Sequence, residues 1–131
     1  MLLVKTKIGP SKIQGSGLFA AEFISKGTLI WKFAPGFDMA IDKTEVEKLP
    51  EIARKTFLRY APLHPIMKKY ILSFDDARFF NHSENPNVES TWPNGSEATD
   101  VAVAARDIEE GEELTENYKE YDATFDYKMK N

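Results

Sequence analysis

The chain has 131 residues, a formal net charge of -4 and no cysteine. This length suits one domain with a buried core, so we expect a single domain over residues 1–131 to carry the whole activity. The lack of cysteine in the sequence excludes disulfides and thiolate metal sites. The two histidines, His64 and His82, are too few for a zinc centre without several carboxylates, so we expect no bound metal.

The mildly acidic net charge disfavours a nucleic-acid partner and slightly favours a basic peptide or another cation. Hydrophobic residues make up 42% of the chain and charged residues 29%, without a long apolar run. The first ten residues, MLLVKTKIGP, become polar too soon for a signal peptide or a membrane helix. We therefore expect a soluble cytoplasmic protein without a membrane partner, with the nucleus as the alternative for a eukaryotic or viral source.

Seven short segments predict strands, several of them bounded by turns rich in glycine, proline or asparagine. In chain order these are residues 2–8, 17–24, 27–34, 69–74, 85–91, 99–107 and 112–118. The sequence contains no internal repeat and no linker-like stretch, so no domain boundary is indicated. The predicted fold class is mostly β.

One region departs from the strand pattern. Thr44 and Glu47 have the spacing of a capping box, and apolar residues recur at helical spacing up to Tyr60. We predict a helical insertion at about 44–60, which Pro50 weakens because a proline beyond the first turn removes a backbone hydrogen bond. Two further prolines after residue 60 would close the helix.

Three short motifs stand out from this background. Residues 15–20, GSGLFA, place two glycines before an apolar strand, which is typical of a tight turn or of backbone close to a ligand. Residues 78–87, RFFNHSENPN, join two aromatics to three asparagines, a histidine and a serine. Residues 105–118, ARDIEEGEELTENY, form an acidic turn that leads into a strand. Taken singly, the first motif is explained by a tight turn and the third by a solvated acidic surface.

The order of the three motifs resembles the SET domain family of protein lysine methyltransferases, whose cores carry G-x-G, R-F-x-N-H-S-x-x-P-N and G-E-E-L-x-x-x-Y. The resemblance spans about residues 5–121, and the helical stretch falls where the family has a variable insertion. It implies a β-clip fold of small curled sheets, with a knot-like C-terminal threading that brings Asn81 and His82 next to Tyr118. The chain is similar to the minimal viral and bacterial members, some of which form homodimers, that lack a cysteine-rich zinc segment in the tail.

The resemblance implies methyl transfer from S-adenosylmethionine to a lysine of a protein or peptide. Such a transfer is an in-line displacement, so most of the rate must come from holding the reacting atoms collinear at about 3 Å. The amine must be neutral although its ordinary pKa is about 10.4, which calls for a partly desolvated channel and a nearby cation. The sulfonium is such a cation, so no dedicated general base is required.

The resemblance also implies which residues bind the cofactor. Gly15 and Gly17, with Ser16 between them, would let the backbone approach its methionine part. Asn81 and His82 would bind it through the amide group and the main chain, and the aromatic start of their motif would anchor the segment. In the tail, at about 119–131, an aromatic ring would close over the adenine; the candidates are Phe125 and Tyr127.

Tyr118 is the expected catalytic residue, because in the family this tyrosine lines the channel where cofactor and lysine meet. Its hydroxyl would orient the amine, and its oxygen would accept weak C–H···O contacts from the methyl group. Tyr70 and Tyr121 are further candidates for the channel. Glu116 departs from the family, which usually has phenylalanine or tyrosine there; a carboxylate facing the channel would favour a charged amine and hinder attack.

Two alternatives to lysine methylation remain open from the sequence. The first is an inactive SET-like module that binds a protein partner, with Glu116 as the sign of lost activity. The second is methyl transfer to a small molecule or to another side chain. Retention of Asn81, His82 and Tyr118 together argues against the first, because a module that needs only the fold has no physical reason to keep all three.

Overall fold

The computed structural model describes residues 1–64, 67–91 and 101–121, with the last two residues described by their backbone only. Nine short strands lie in these ranges: β1 Thr6–Pro10, β2 Ser16–Ala20, β3 Leu29–Lys32, β4 Met39–Asp42, β5 Lys69–Leu72, β6 Asn81–His82, β7 Val88–Thr91, β8 Val101–Ala104 and β9 Thr115–Glu116. The helices are α1 Lys43–Glu47, α2 Glu51–Tyr60, a 3₁₀ helix at Asp76–Phe79, and α3 Tyr118–Tyr121. The mostly β prediction is confirmed.

The strands form four small sheets. β1 and β2 form an antiparallel hairpin, β8 lies between β3 and β7 in an antiparallel sheet, and β4 pairs with β5. The fourth sheet is the parallel pair of β6 and β9, whose strands are far apart in sequence. This pair brings the second and third sequence motifs side by side.

The main core lies between the hairpin, the three-stranded sheet and the motif segments. Its fully buried large side chains come from β2, β3 and β7, from the loop after β2 and from the segment between β8 and β9: Leu18, Ile24, Ile30, Val88, Ile108 and Leu114. Burying a side chain of this size stabilises the fold by about 1.5–3 kcal/mol. Phe80 and Leu114 belong to the same core. Their buried side chains anchor the backbone next to Asn81 and Thr115.

A second, smaller core joins the helices to the β4–β5 sheet. Its buried members are Val46, Ala61, Leu63 and Tyr70, and the half-buried Phe57 of α2 packs against them. No residue of α2 is fully buried, so this helix lies on the surface with one apolar face turned inward. The helical insertion therefore has packing of its own beside the main core.

The predicted capping box is wrong, and the predicted helix is divided in two. Asp42, not Thr44, precedes the first turn of α1, and its side chain makes no capping hydrogen bond. Pro50 stands immediately before α2, where its missing N–H is not required by the helix, and its carbonyl accepts from the N–H of Arg54 at 2.8 Å. The proline therefore starts a new helix instead of weakening a longer one. β4, which the sequence did not predict, precedes α1.

Candidate active site

The three sequence motifs meet along one segment, residues 111–116. On one side this segment contacts β2, where the N–H of Leu114 donates to the carbonyl of Leu18 at 2.7 Å. On the other side it continues into β9, where Thr115 pairs with Asn81 and Glu116 pairs with His82 in a parallel register. The segment therefore lies between the glycine motif and the asparagine–histidine motif.

Asn87 fixes the second motif to the third. Its side chain is buried, and its Oδ1 accepts from the N–H of Thr115 at 2.9 Å. Its Nδ2 donates to the carbonyl of Glu113 at 2.8 Å. One amide thus satisfies a donor and an acceptor of an irregular backbone segment, so the end of the RFFNHSENPN motif has a structural role.

Tyr118 is held by two hydrogen bonds, one at its main-chain N–H and one at its side-chain hydroxyl. Its main-chain N–H donates to Nδ1 of His82 at 3.1 Å, and the two rings lie 5.4 Å apart at 57°. Because Nδ1 accepts, a neutral His82 ring carries its proton on Nε2. The hydroxyl of Tyr118 donates to the carbonyl of Phe80 in a short hydrogen bond. With its proton committed to Phe80, the phenol oxygen can act toward a substrate only as an acceptor.

Asn81 is joined to the glycine motif through its side chain. Its Nδ2 lies 3.2 Å from the carbonyl oxygens of Gln14 and Ser16, and 2.8 Å from Oε2 of Glu113. Three acceptors around Nδ2 fix the orientation of the amide, because turning it over would place Oδ1 against a carboxylate. Oδ1 therefore lies on the side of the amide that faces away from these acceptors.

The two glycines of the first motif have different surroundings. Gly15 has φ +49, in the left-handed region, and a Cβ there would meet nothing within 4 Å. Gly17 has no such conformation, but a Cβ on it would lie 2.4 Å from Oε2 of Glu113 and 2.9 Å from its Cδ. Gly15 thus permits the turn, whereas Gly17 makes room for a carboxylate of this chain.

Glu113 is the site residue that the sequence analysis missed. It lies beside Glu112 in the same motif, and the sequence offers no signal that separates the two. Glu112 faces Arg106, with 3.2 Å between carboxylate and guanidinium, and accepts from the N–H of Glu109 at 2.6 Å. The hydrogen bond from Arg106, and then the one from Glu109, hold the pKa of Glu112 below its ordinary value. Glu112 therefore stabilises its own turn while Glu113 faces the site.

The 3₁₀ helix that leads into the second motif is anchored by Asp75. Oδ1 of Asp75 accepts from the N–H of Ala77 at 3.1 Å, and Oδ2 accepts from the N–H of Leu2 at 2.8 Å. At the other end of this helix, the Arg78 guanidinium lies 5.3 Å from the ring centre of Phe79 and 5.4 Å from that of Tyr60. This contact joins the end of α2 to the segment that carries Asn81, which supports the predicted anchoring role of the aromatic start.

Two further residues singled out from the sequence, Tyr70 and Glu116, are buried. Tyr70 is buried in the second core, where its ring lies 5.7 Å from that of Phe57 in an edge-to-face contact. Tyr121 ends α3, but its side chain is outside the described part of the chain, as are Phe125 and Tyr127. Glu116 is 6% exposed, and its carbonyl accepts from the N–H of Ser83 at 3.0 Å.

Two absences can be stated for residues 1–64, 67–91 and 101–121. Within these ranges no group of three or more histidine, aspartate or glutamate side chains could hold a metal ion. Nor does any helix within them combine the length and the apolar character needed to cross a membrane.

In this fold the glycine turn, the strand β6 with its asparagine and histidine, and the strand β9 that precedes Tyr118 lie together. This arrangement defines the class of protein. The sequence pattern of the SET domain family matches residues 15–119, and the chain belongs to this family.

Among curated proteins, the chain is similar to histone-lysine N-methyltransferase trr of Drosophila melanogaster. The two are 33% identical over an alignment of 114 residues, which covers 83% of this chain and 4% of the fly protein. Most of that relative thus has no counterpart in this chain.

Two solved structures have a similar fold. A Plasmodium falciparum protein described as a candidate histone methyltransferase matches with a TM-score of 0.63 and 22% identity, over 89% of this chain and 95% of that one. The Neurospora SET domain protein DIM-5, a histone lysine methyltransferase, matches with a TM-score of 0.61 and 22% identity, over 89% of this chain and 53% of that one. The SET fold predicted from the motifs is therefore confirmed.

Proposed function

We propose that this protein is an S-adenosylmethionine-dependent N-methyltransferase that modifies a lysine of a basic protein or peptide. The observation that carries the proposal is the double restraint on Tyr118, which is held by His82 at its main chain and by Phe80 at its hydroxyl. Membership of the SET family and similarity to a histone-lysine N-methyltransferase support the reaction class. Together the two hydrogen bonds fix the position of the phenol oxygen at the meeting point of the second and third motifs.

Asn81 supplies a fixed acceptor for the cofactor. Because its Nδ2 is held by Gln14, Ser16 and Glu113, its Oδ1 is pre-oriented toward the opposite side, where it would accept from an ammonium group. The methionine part of S-adenosylmethionine carries such a group, and its sulfonium supplies the electrophilic methyl. The backbone of residues 15–17 and the main chain of His82 would complete the binding site.

Tyr118 would position the substrate amine by accepting from it. A neutral amine has hydrogens to donate and a lone pair that must point at the methyl carbon. A phenol oxygen that has already donated its proton can accept one of those hydrogens and cannot compete for the lone pair. Tyr118 thus orients the nucleophile without acting as a base.

Glu116 bears on the alternatives. It is almost fully buried next to His82 in the β6–β9 pair, so a carboxylate stands close to the site where relatives usually have an aromatic ring. An inactive SET-like interaction module is the function this substitution would favour. The intact restraints on Tyr118 and Asn81 favour catalysis over that role.

Calorimetric titration of S-adenosylmethionine into the purified protein tests the proposal. We expect wild-type binding that Asn81→Ala abolishes and Tyr118→Phe preserves. Asn85→Ala is the matched control, because Asn85 is an exposed asparagine of the same motif whose contact is with Ser83. Failure of the folded wild-type protein to bind would favour the interaction module, and methylation of a small molecule in place of a peptide would favour the other alternative.

Three predictions belong to the same proposal. Phe125 or Tyr127 would cover the adenine ring, Tyr70 and Tyr121 would contribute to the lysine channel, and the protein would act in the cytoplasm, or in the nucleus of a eukaryotic host. Loss of cofactor affinity on Phe125→Ala or Tyr127→Ala would support the first. A homodimer is also proposed, and sedimentation of the purified protein measures it.

A further inference from the structure

Glu113 contacts three separate parts of the candidate site. Its carboxylate oxygens lie 2.8 Å and 2.9 Å from Oγ of Ser11, and Oε2 lies 2.8 Å from Nδ2 of Asn81. The same oxygen occupies the space that a side chain on Gly17 would need. The main chain of Glu113 forms an antiparallel bridge with Phe19 of β2, and this pairing fixes the backbone position of Glu113.

The Ser11 hydroxyl must donate to Glu113. Oγ of Ser11 accepts from the N–H groups of Ile13 at 2.9 Å and Gln14 at 3.3 Å, which occupy its two lone pairs. Its remaining capacity is one proton, and the Glu113 carboxylate is the acceptor in reach. Glu113 therefore orders the turn at residues 11–17 through Ser11.

The ordered turn in turn holds Asn81. The carbonyls of Gln14 and Ser16 point at Nδ2 of Asn81, and Glu113 supplies the third and shortest contact. The network is closed, since Glu113 binds both the turn and the amide that the turn holds. A carboxylate suits this place because both neighbours are donors, and a charged acceptor forms stronger hydrogen bonds than a neutral one.

We propose that Glu113 is a positioning residue for cofactor binding: it holds the glycine turn and the Asn81 amide in the orientation that receives the cofactor. Glu113 acts through Asn81 and the turn and does not itself contact the cofactor. The inference rests on the proposed function, and it gives the second glycine of the motif a role. Gly17 leaves room for the carboxylate that organises the site.

The test compares Glu113→Gln with Glu112→Gln in calorimetric titrations of S-adenosylmethionine. A glutamine at 113 that keeps its oxygen toward Asn81 places its amide N–H against Oγ of Ser11, whose lone pairs already accept from Ile13 and Gln14, and it offers Asn81 a neutral acceptor in place of a charged one. We expect Glu113→Gln to weaken binding by about ten-fold or more, the size of losing a hydrogen bond to a charged group. Glu112→Gln should change the dissociation constant by less than about two-fold, because Glu112 faces Arg106.

Hydrogen exchange of the ligand-free proteins provides a readout that does not depend on the cofactor. We expect the amides of residues 11–17 to exchange faster in Glu113→Gln than in Glu112→Gln, while the amides of β7 and β8 stay unchanged. Equal exchange of that turn in both variants would overturn the inference. Wild-type protein that binds no cofactor would contradict the proposed function, and the exchange result would still decide whether Glu113 orders the turn.

A double-mutant cycle of Gly17→Ala and Glu113→Ala tests whether the two residues act through one network. Gly17→Ala places a Cβ against the Glu113 carboxylate and should weaken cofactor binding by about ten-fold or more, since the hydrogen bonds of Glu113 are displaced. Adding Glu113→Ala should weaken binding little further, because both changes disrupt one network. Losses that simply add would show that Gly17 and Glu113 act independently, and would overturn the inference.

Discussion

The main-chain N–H of Tyr118 donates to Nδ1 of His82 across 3.1 Å, although the two residues are 36 positions apart in sequence. This bond fixes the tautomer of the imidazole and the start of α3 together. It exists because β6 and β9 run parallel, which places the end of one motif beside the beginning of the helix that follows the other. The relative position of His82 and Tyr118 thus follows from the pairing of β6 with β9.

Two substitutions of His82 distinguish the effect of its hydrogen-bond acceptor from the effect of its size. His82→Ala removes the acceptor for the Tyr118 N–H and should lower kcat by about ten-fold, with a loss of about 1 kcal/mol in stability. His82→Asn offers an amide oxygen close to the position of Nδ1 and should recover part of kcat. Steady-state kinetics of both variants measures this difference. Equal activity of the two would mean that the hydrogen bond does not position Tyr118.

Removing the hydroxyl of Tyr118 should affect the reaction more than cofactor binding. Tyr118→Phe loses the bond to the Phe80 carbonyl and the acceptor for the substrate amine. We expect kcat to fall by about ten- to a hundred-fold, while the dissociation constant of S-adenosylmethionine changes by less than about three-fold. Single-turnover rates at saturating cofactor measure the effect, and an unchanged rate would contradict the role given to this oxygen.

Asp75 should contribute to stability as a helix cap. Asp75→Ala removes the acceptor for the N–H groups of Ala77 and Leu2 and should lower the free energy of unfolding by about 1–2 kcal/mol. Asp76→Ala is the control, because Asp76 lies in the first turn of the same helix and does not provide the cap. Urea unfolding of both variants gives the comparison. Similar losses in both would show that capping is not the cause.

The lowered pKa of Glu112 predicts the sign of a pH effect. Because the folded-state pKa lies below the unfolded one, the contribution of Glu112 to stability is present above the unfolded pKa and is lost as pH falls through the folded pKa. The contribution is small, since both partners are partly solvent-exposed. Carboxyl NMR should show that Arg106→Ala moves the Glu112 titration to higher pH. No movement would mean that Arg106 does not lower it.

The sequence predicts the family because each of its motifs is a short local pattern, and the resemblance to that family in turn implies that the motifs meet. R-F-F-N-H-S and G-E-E-L each fall within one short segment, and the parallel pairing of β6 and β9 brings the segments together as expected. It also predicts that residues near Pro50 are helical. It does not predict that the proline begins a second helix, because this depends on how α2 packs against the second core.

The role of Glu113 is not predictable from this sequence alone. Ser11 and Glu113 are 102 positions apart, and nothing local distinguishes Glu113 from Glu112. Which of two adjacent acidic residues faces the site is decided by the pairing of Glu113 with Phe19 in β2. The same limit applies to Gly17. Only the structure shows that the Glu113 carboxylate occupies the space that a side chain at this position would take.

The measurement that tests the account most directly is mass spectrometry of lysine-containing basic peptides incubated with the protein and S-adenosylmethionine. The account predicts methyl groups on lysine with the wild-type protein, much less product with Tyr118→Phe, and wild-type levels with the control variant Asn85→Ala. Folded wild-type protein that binds the cofactor and methylates no lysine across a peptide library would contradict the proposed lysine methyltransferase.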